Sequence, residues 1–111
     1  MKQSRLAGSV LIALAAICAG DAAKAADAAA GREKAAMCVV CHGLDGIAKV
    51  PDAPNLAGES AIYTTRQLEA FKSGERQHPQ MSIIAQGLSD EDIADLAAWY
   101  ASIKLTAEMP Q

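Results

Sequence analysis

The clearest pattern of apolar and polar positions lies near the end of the chain. Ser89, with Asp92 three residues later, begins a helix in the manner of a capping box. Apolar residues then recur at positions i, i+3, i+4 and i+7, and these are Ile93, Leu96, Ala97 and Tyr100. This spacing predicts an amphipathic helix with one face in a core.

Two earlier stretches also predict helices. The alanine-rich stretch from Ala28 to His42 is typical of a helix, and Ser60 is a candidate N-cap for another that runs to about Ser73, before Gly74. Residues 43–58 contain three glycines and two prolines and are predicted to be a loop. No stretch has the alternating pattern of a strand, so the fold class is predicted to be all-α.

The first 25 residues predict a cleaved secretory signal peptide. Lys2 and Arg5 supply its positive charge, residues 6–19 are apolar or small, and residues 23–25 form an Ala-Lys-Ala cleavage pattern. The apolar run is shorter than the roughly 20 residues that span a bilayer. A retained anchor and a lipoprotein processed at Cys18 are the alternatives. We therefore expect one domain at residues 26–111, in the periplasm and with no stable membrane insertion.

Cleavage after Ala25 makes the remaining protein more acidic. It removes three of ten basic and one of thirteen acidic side chains, which changes the formal charge from −3 to −5. Nucleic acid is therefore not an expected partner, whereas a protein with a basic patch is.

The most specific motif is Cys-Val-Val-Cys-His at residues 38–42. Cys38 and Cys41 lie on one face of a helix, where their thiols can form thioethers with a single haem, and His42 follows to bind the iron. The alternatives are a redox-active cysteine pair and half of a zinc site, for which only His78 and Cys18 remain as further soft ligands. The sequence predicts one covalent haem c.

A second axial ligand is expected on the opposite face of the haem, and Met81 is the best candidate. Met37 adjoins the attachment site and Met109 lies in the tail, so neither is suitably placed. His78 is the rival ligand, three residues before Met81. The haem propionates have several polar candidate partners, which are Arg66, Gln67, Lys72 and Arg76.

Taken together, several motifs resemble those of bacterial class I cytochromes c, with the closest likeness to one half of the c4 type and to small mono-haem relatives. The matching segments are residues 38–43, 54–58, 67–68, 78–81 and 88–93, with Tyr63, Phe71 and Gly74. The resemblance implies helices wrapped round one haem, an electron-carrying role and a periplasmic location. It also implies that the Pro54 carbonyl holds the His42 ring, and that Gly31 meets Trp99 or Tyr100 where the first and last helices cross. The alternative role for Trp99 is packing in the core, and either role predicts that it is buried.

We therefore expect a periplasmic, mono-haem, one-electron carrier that is not an enzyme. The single C-x-x-C-H motif gives no sign of a second haem domain. Its expected partners are periplasmic or membrane-bound redox proteins. One alternative is the cytochrome subunit of a periplasmic dehydrogenase or oxidase complex. Another is a haem enzyme or gas sensor, which requires Met81 not to bind the iron.

Overall fold

The computed structural model describes residues 24–111, so most of the predicted signal peptide, including Cys18, lies outside the described residues. Within this range the chain forms five α-helices and one 3₁₀ turn and contains no strand, as expected for an all-α fold. The helices are α1 (Ala28–Lys34), α2 (Val39–His42), α3 (Ala61–Ser73), α4 (Met81–Gln86) and α5 (Asp90–Ser102). No helix in residues 24–111 is long and apolar enough to cross a membrane.

The stretch from Ala28 to His42 is not the single helix that its sequence predicts. A 3₁₀ turn at Ala35–Met37 separates α1 from α2. The backbone N–H of Cys38 donates to the Ala35 carbonyl at 2.8 Å, three residues back, which is the tighter 3₁₀ spacing. Ala35 has no exposed surface, so the turn is fixed by packing against the core and not by a residue that breaks helices.

Helices α1 and α5 cross at Gly31. A Cβ atom there would lie 1.9 Å from the Asp95 carbonyl oxygen and 3.0 Å from Trp99 Cβ, so only glycine permits this approach. Of the two aromatic residues proposed for the crossing, Trp99 is therefore the one that meets Gly31. Trp99 packs against the core but is only half-buried, so the expected burial is met in part. Its indole N–H donates to the Leu44 carbonyl at 3.2 Å.

The predicted ends of α3, the predicted start of α5 and the apolar face of α5 are confirmed. Ser89 and Asp92 form the capping box, and Ser60 accepts a hydrogen bond from the Tyr63 N–H. Gly74 ends α3 in the left-handed conformation, with φ of 84°. All four residues of the predicted apolar stripe are at most 2% exposed: Ile93, Leu96, Ala97 and Tyr100.

Helix α4 is not predicted by the sequence. Its first residue is Met81. The helix has six residues, and the side chain of its N-cap residue, Gln80, makes no capping hydrogen bond. Its position between α3 and α5 places Met81 beside a cleft.

Candidate functional site

A cleft of about 320 Å³ opens between α2, the 43–58 loop, α3, α4 and α5. All the site residues predicted from the sequence line it, and they are Cys38, Cys41, His42, Pro54 and Met81. The rival ligand His78 lines it as well. The fold therefore gathers residues that are up to 43 positions apart in the chain around one space.

His42 is the last residue of α2 and is 8% exposed. Its Nδ1 lies 2.9 Å from the Pro54 carbonyl oxygen, which fixes the ring orientation. The Nε2 atom is then the ring nitrogen available to a ligand. The loop that carries Pro54 is itself held, because the N–H groups of Leu56 and Ala57 both donate to the Gly46 carbonyl, at 2.7 and 3.0 Å.

Cys38 and Cys41 are both half-buried. Burial raises the pKa of the Cys38 thiol, and a hydrogen bond with Tyr100 opposes this only partly. Redox-active cysteines have the opposite property, a lowered pKa that yields the thiolate. The surroundings of Cys38 therefore disfavour a redox-active cysteine pair. They are compatible with thiols that become thioethers, which have no proton to lose.

Met81 and His78 approach the cleft from the segment between α3 and α5. Met81 is half-buried, and so is His78, whose ring lies edge-on to Phe71 with 6.5 Å between centroids. The structure thus brings both candidate sixth ligands to the cleft. The His78 ring also forms hydrogen bonds within its own segment, because its Nδ1 accepts from the N–H groups of Gln80 and Met81.

One face of α3 forms a wall of the cleft, and the sequence analysis did not identify this face. The lining residues recur at helical spacing and are Tyr63, Thr64, Gln67, Leu68 and Phe71. Thr64 was missed entirely: it is 7% exposed, and its hydroxyl has no hydrogen-bond partner among residues 24–111. The spacing i, i+1, i+4, i+5 and i+8 is the signal that identifies this face.

Arg76 is the only lysine or arginine among the described residues that line the cleft. Its Nη1 donates to Gln67 Oε1 at 2.6 Å, and its guanidinium lies 4.5 Å from the centre of the Phe71 ring. The other two candidates for the propionates do not line the cleft: Arg66 is exposed, and Lys72 bonds Asp90 at 3.0 Å.

The donor types in the cleft fit a c-type haem. Two thiols can form the thioethers, and an imidazole and a thioether are common axial ligands of haem iron. A structural zinc site instead needs about four ligands close together. In residues 24–111 no group of three or more His, Cys, Asp or Glu side chains is placed to hold a metal ion.

Comparison with known proteins agrees with this chemistry. The sequence model of the family described as Cytochrome c matches residues 28–104. The chain is 51% identical over 81 residues to cytochrome c-554(548) of Halomonas halodenitrificans, covering 70% of this chain and 98% of the relative. It is 44% identical over 90 residues to cytochrome c4 of Pseudomonas aeruginosa, covering 81% of this chain and 45% of the relative.

A solved structure is similar in fold as well as in sequence. The crystal structure of reduced cytochrome c4 from Pseudomonas stutzeri superposes with a TM-score of 0.67 and 38% identity, over 72% of this chain and 47% of that one. The chain thus spans less than half of these two c4 proteins but nearly all of the Halomonas protein. It belongs to the cytochrome c family, as a bacterial class I cytochrome c of the c4 type, an electron-transfer protein with covalently bound haem c.

Proposed function

We propose that this protein is a one-electron carrier that uses a single haem, attached through Cys38 and Cys41 and bound at iron by His42 and Met81. The observation that carries the proposal is the meeting of these four side chains in one cleft. The bound haem supplies the redox chemistry, and the protein fixes its ligands and its surroundings.

The residues of the chain serve to hold the group still, not to act on a substrate. The Pro54 carbonyl keeps the His42 ring in one orientation, so that its Nε2 is presented to the iron. Met81 would occupy the other axial position, and its thioether favours the reduced iron. If His42 and Met81 both bound the iron, no coordination site would stay open, as a carrier requires and a haem enzyme or gas sensor does not.

Replacing Met81 tests the ligand assignment. In Met81→Ala the reduced protein should bind carbon monoxide rapidly, and the reduction potential should fall because the thioether no longer favours ferrous iron. The original protein should react slowly and keep a six-coordinate, low-spin spectrum. The assignment is reversed if Met81→Ala leaves that spectrum intact while His78→Ala abolishes it.

Arg76 is the proposed partner of a haem propionate. It is the only cation lining the cleft in the described chain, and Gln67 holds its guanidinium. A positive charge beside the haem disfavours the more positive ferric state, so Arg76→Gln should lower the reduction potential. Arg66→Gln removes an equal charge from the same region but outside the cleft, and it should change the potential less. Equal shifts in a redox titration would contradict the propionate assignment.

We propose a periplasmic location, reached through a signal peptide at residues 1–25. The support is the charged start, the apolar run and the Ala-Lys-Ala pattern. Mass spectrometry of the denatured protein from the periplasm should give a chain that begins near Ala26 and is heavier by one haem. A haem-free mass from cells able to attach haem would contradict the proposal.

The proposed partners are redox proteins with a positively charged docking surface, since a formal charge of −5 remains after cleavage. The alternative is an apolar docking surface. Exposed apolar side chains do border the cleft: Met37 is 55% and Tyr63 51% exposed. Val40 and Ile83, at 75% and 74%, are exposed beside cleft residues, whereas Val39 is half-buried and contributes less.

A salt series separates the two modes of docking. Attraction between opposite charges is screened beyond about 8 Å at physiological ionic strength. If charge guides docking, the stopped-flow rate constant for electron transfer to such a partner should fall as salt rises. A rate that is constant or increases would instead favour the apolar surface.

A further inference from the structure

His78 makes an unusual set of contacts for a half-buried histidine beside the cleft. Its ring Nδ1 accepts hydrogen bonds from the backbone N–H groups of Gln80 and Met81, each at 3.3 Å. These groups lie at the start of α4, where helical N–H groups have no partner within the helix. Because the Gln80 side chain makes no capping bond, the His78 ring serves as the cap.

Ser82 in turn forms two hydrogen bonds with the backbone of His78. Its Oγ accepts a hydrogen bond from the backbone N–H of His78 at 3.0 Å, and its own N–H donates to the His78 carbonyl at 3.1 Å. Side-chain to backbone hydrogen bonds thus run in both directions within residues 78–82, similar to those of a capping box. Met81 lies inside this segment.

We propose that His78 is a positioning residue for Met81: its ring fixes the backbone from which the Met81 sulfur reaches the cleft. The inference rests on the proposed ligation of iron by Met81. Without the ring acceptor, the first turn of α4 opens more readily and the sulfur leaves the iron more often. Losing a side-chain cap changes such an equilibrium by about fivefold.

The test uses the ferric holoprotein and imidazole as an exogenous ligand in stopped flow. At high imidazole concentration the observed rate reaches a plateau, which equals the rate at which the native sixth ligand dissociates. His78→Ala should raise this plateau about fivefold, the effect of a lost cap. His78→Asn should restore most of the original rate, since its Oδ1 can accept the same backbone N–H groups. Ser82→Ala should give a smaller increase.

The outcomes also separate this inference from the ligand assignment. An unchanged plateau in His78→Ala, or an equal increase in His78→Asn, would overturn the positioning role. Loss of the six-coordinate spectrum in both His78 variants would overturn it too, and would make His78 the ligand. Met81→Ala is the reference: if it still binds imidazole with the original plateau, the assignment of Met81 itself is wrong.

Discussion

The side of the cleft that carries His42 is packed closely into the core. The side that carries Met81 is a short helix that buries one residue, Ala85, and is otherwise held by hydrogen bonds within residues 78–82. On the histidine side, α1 and α5 approach so closely at Gly31 that a Cβ would lie 1.9 Å from the Asp95 carbonyl oxygen. His42 itself is 8% exposed. On the methionine side, α4 has six residues and Ile83 is 74% exposed.

This difference implies different behaviour for the two proposed iron ligands. Displacing His42 requires the core to open, because its ring is buried and its hydrogen bond to Pro54 depends on the folded 43–58 loop. We expect Met81 to be displaced more easily, because the side-chain hydrogen bonds that hold its backbone lie within residues 78–82. Local openings of this kind have lower free energies than global unfolding. We therefore expect one proposed ligand to stay bound while the other can leave.

Removing the haem should have the largest effect, because the proposed haem site takes ligands from both sides of the cleft. Of the nine apolar residues that are buried within residues 24–111, four are alanines, so this core is small. We expect the Cys38→Ser/Cys41→Ser chain, made without haem, to lack cooperative thermal unfolding by circular dichroism. The unmodified chain made without haem attachment is the control and should behave alike. A cooperative, native-like transition in either would show that the core is sufficient alone.

The crossing of α1 and α5 should be the next most sensitive feature. Gly31→Ala places a methyl group against the Asp95 backbone, which cannot move aside as a flexible side chain would. We expect a loss of about 3 kcal/mol in the free energy of unfolding, from denaturant titration of the holoprotein. Gly87→Ala is the matched control, since its Cβ would meet nothing closer than 3.5 Å. A loss below 1 kcal/mol at Gly31 would contradict tight packing of this side.

The two serine caps offer a finer comparison between helices of equal length. Ser89 on α5 accepts from Asp92 at 3.0 Å and has the reciprocal bond at 2.9 Å, whereas Ser60 on α3 accepts one bond at 3.4 Å. Ser89→Ala should lower the free energy of unfolding by about 1 kcal/mol. Ser60→Ala should lower it by less. The reverse order would show that cap geometry does not determine how firmly these helices are held.

The smallest expected effect is a dependence on acid pH at the α1–α5 contact. The ion pair with Lys34, helped by the Ser89 N–H, lowers the pKa of Asp92 from 3.8 to about 2. Because the folded state binds this proton less tightly, the stabilisation is complete above the unfolded pKa and is lost as the pH falls from about 3.8 toward 2. Asp92→Asn should therefore lose stability less steeply over this interval than the original protein.

Glu75→Gln is the control for that experiment, since it changes the net charge equally at an exposed position outside this contact. It should keep the original dependence on pH. An unchanged slope in Asp92→Asn would show that the Lys34 pair contributes nothing measurable.

The sequence predicted most of the α5 side and less of the α4 side, for a physical reason. Capping residues and apolar spacing are local signals, and they identified α5 and the ends of α3. Helix α4 has no such signal, because its cap is the ring of His78 and a histidine is seldom read as a cap. The 3₁₀ turn at Ala35–Met37 was also missed, because only packing around Ala35 fixes it.

The candidate site was predictable to a similar degree. Cys38, Cys41, His42 and Met81 follow from the chemistry that a haem requires, and these four residues line the cleft. The polar residues that line the cleft with them could not be predicted from the sequence. The candidates were Arg66, Gln67, Lys72 and Arg76. Their positions in the sequence do not show which side chains point into the cleft, and only the structure shows that Gln67 and Arg76 line it.

Hydrogen exchange of the ferric holoprotein tests the difference between the two sides most directly. Backbone amides should be followed along α5, at Leu96 and Ala97, and in the first turn of α4, at Ser82 and Ile83. We predict a difference between the two helices: the α5 amides exchange only by global unfolding, and the α4 amides exchange through a smaller opening that is insensitive to low denaturant. Equal opening free energies, with equal denaturant dependence, would contradict it.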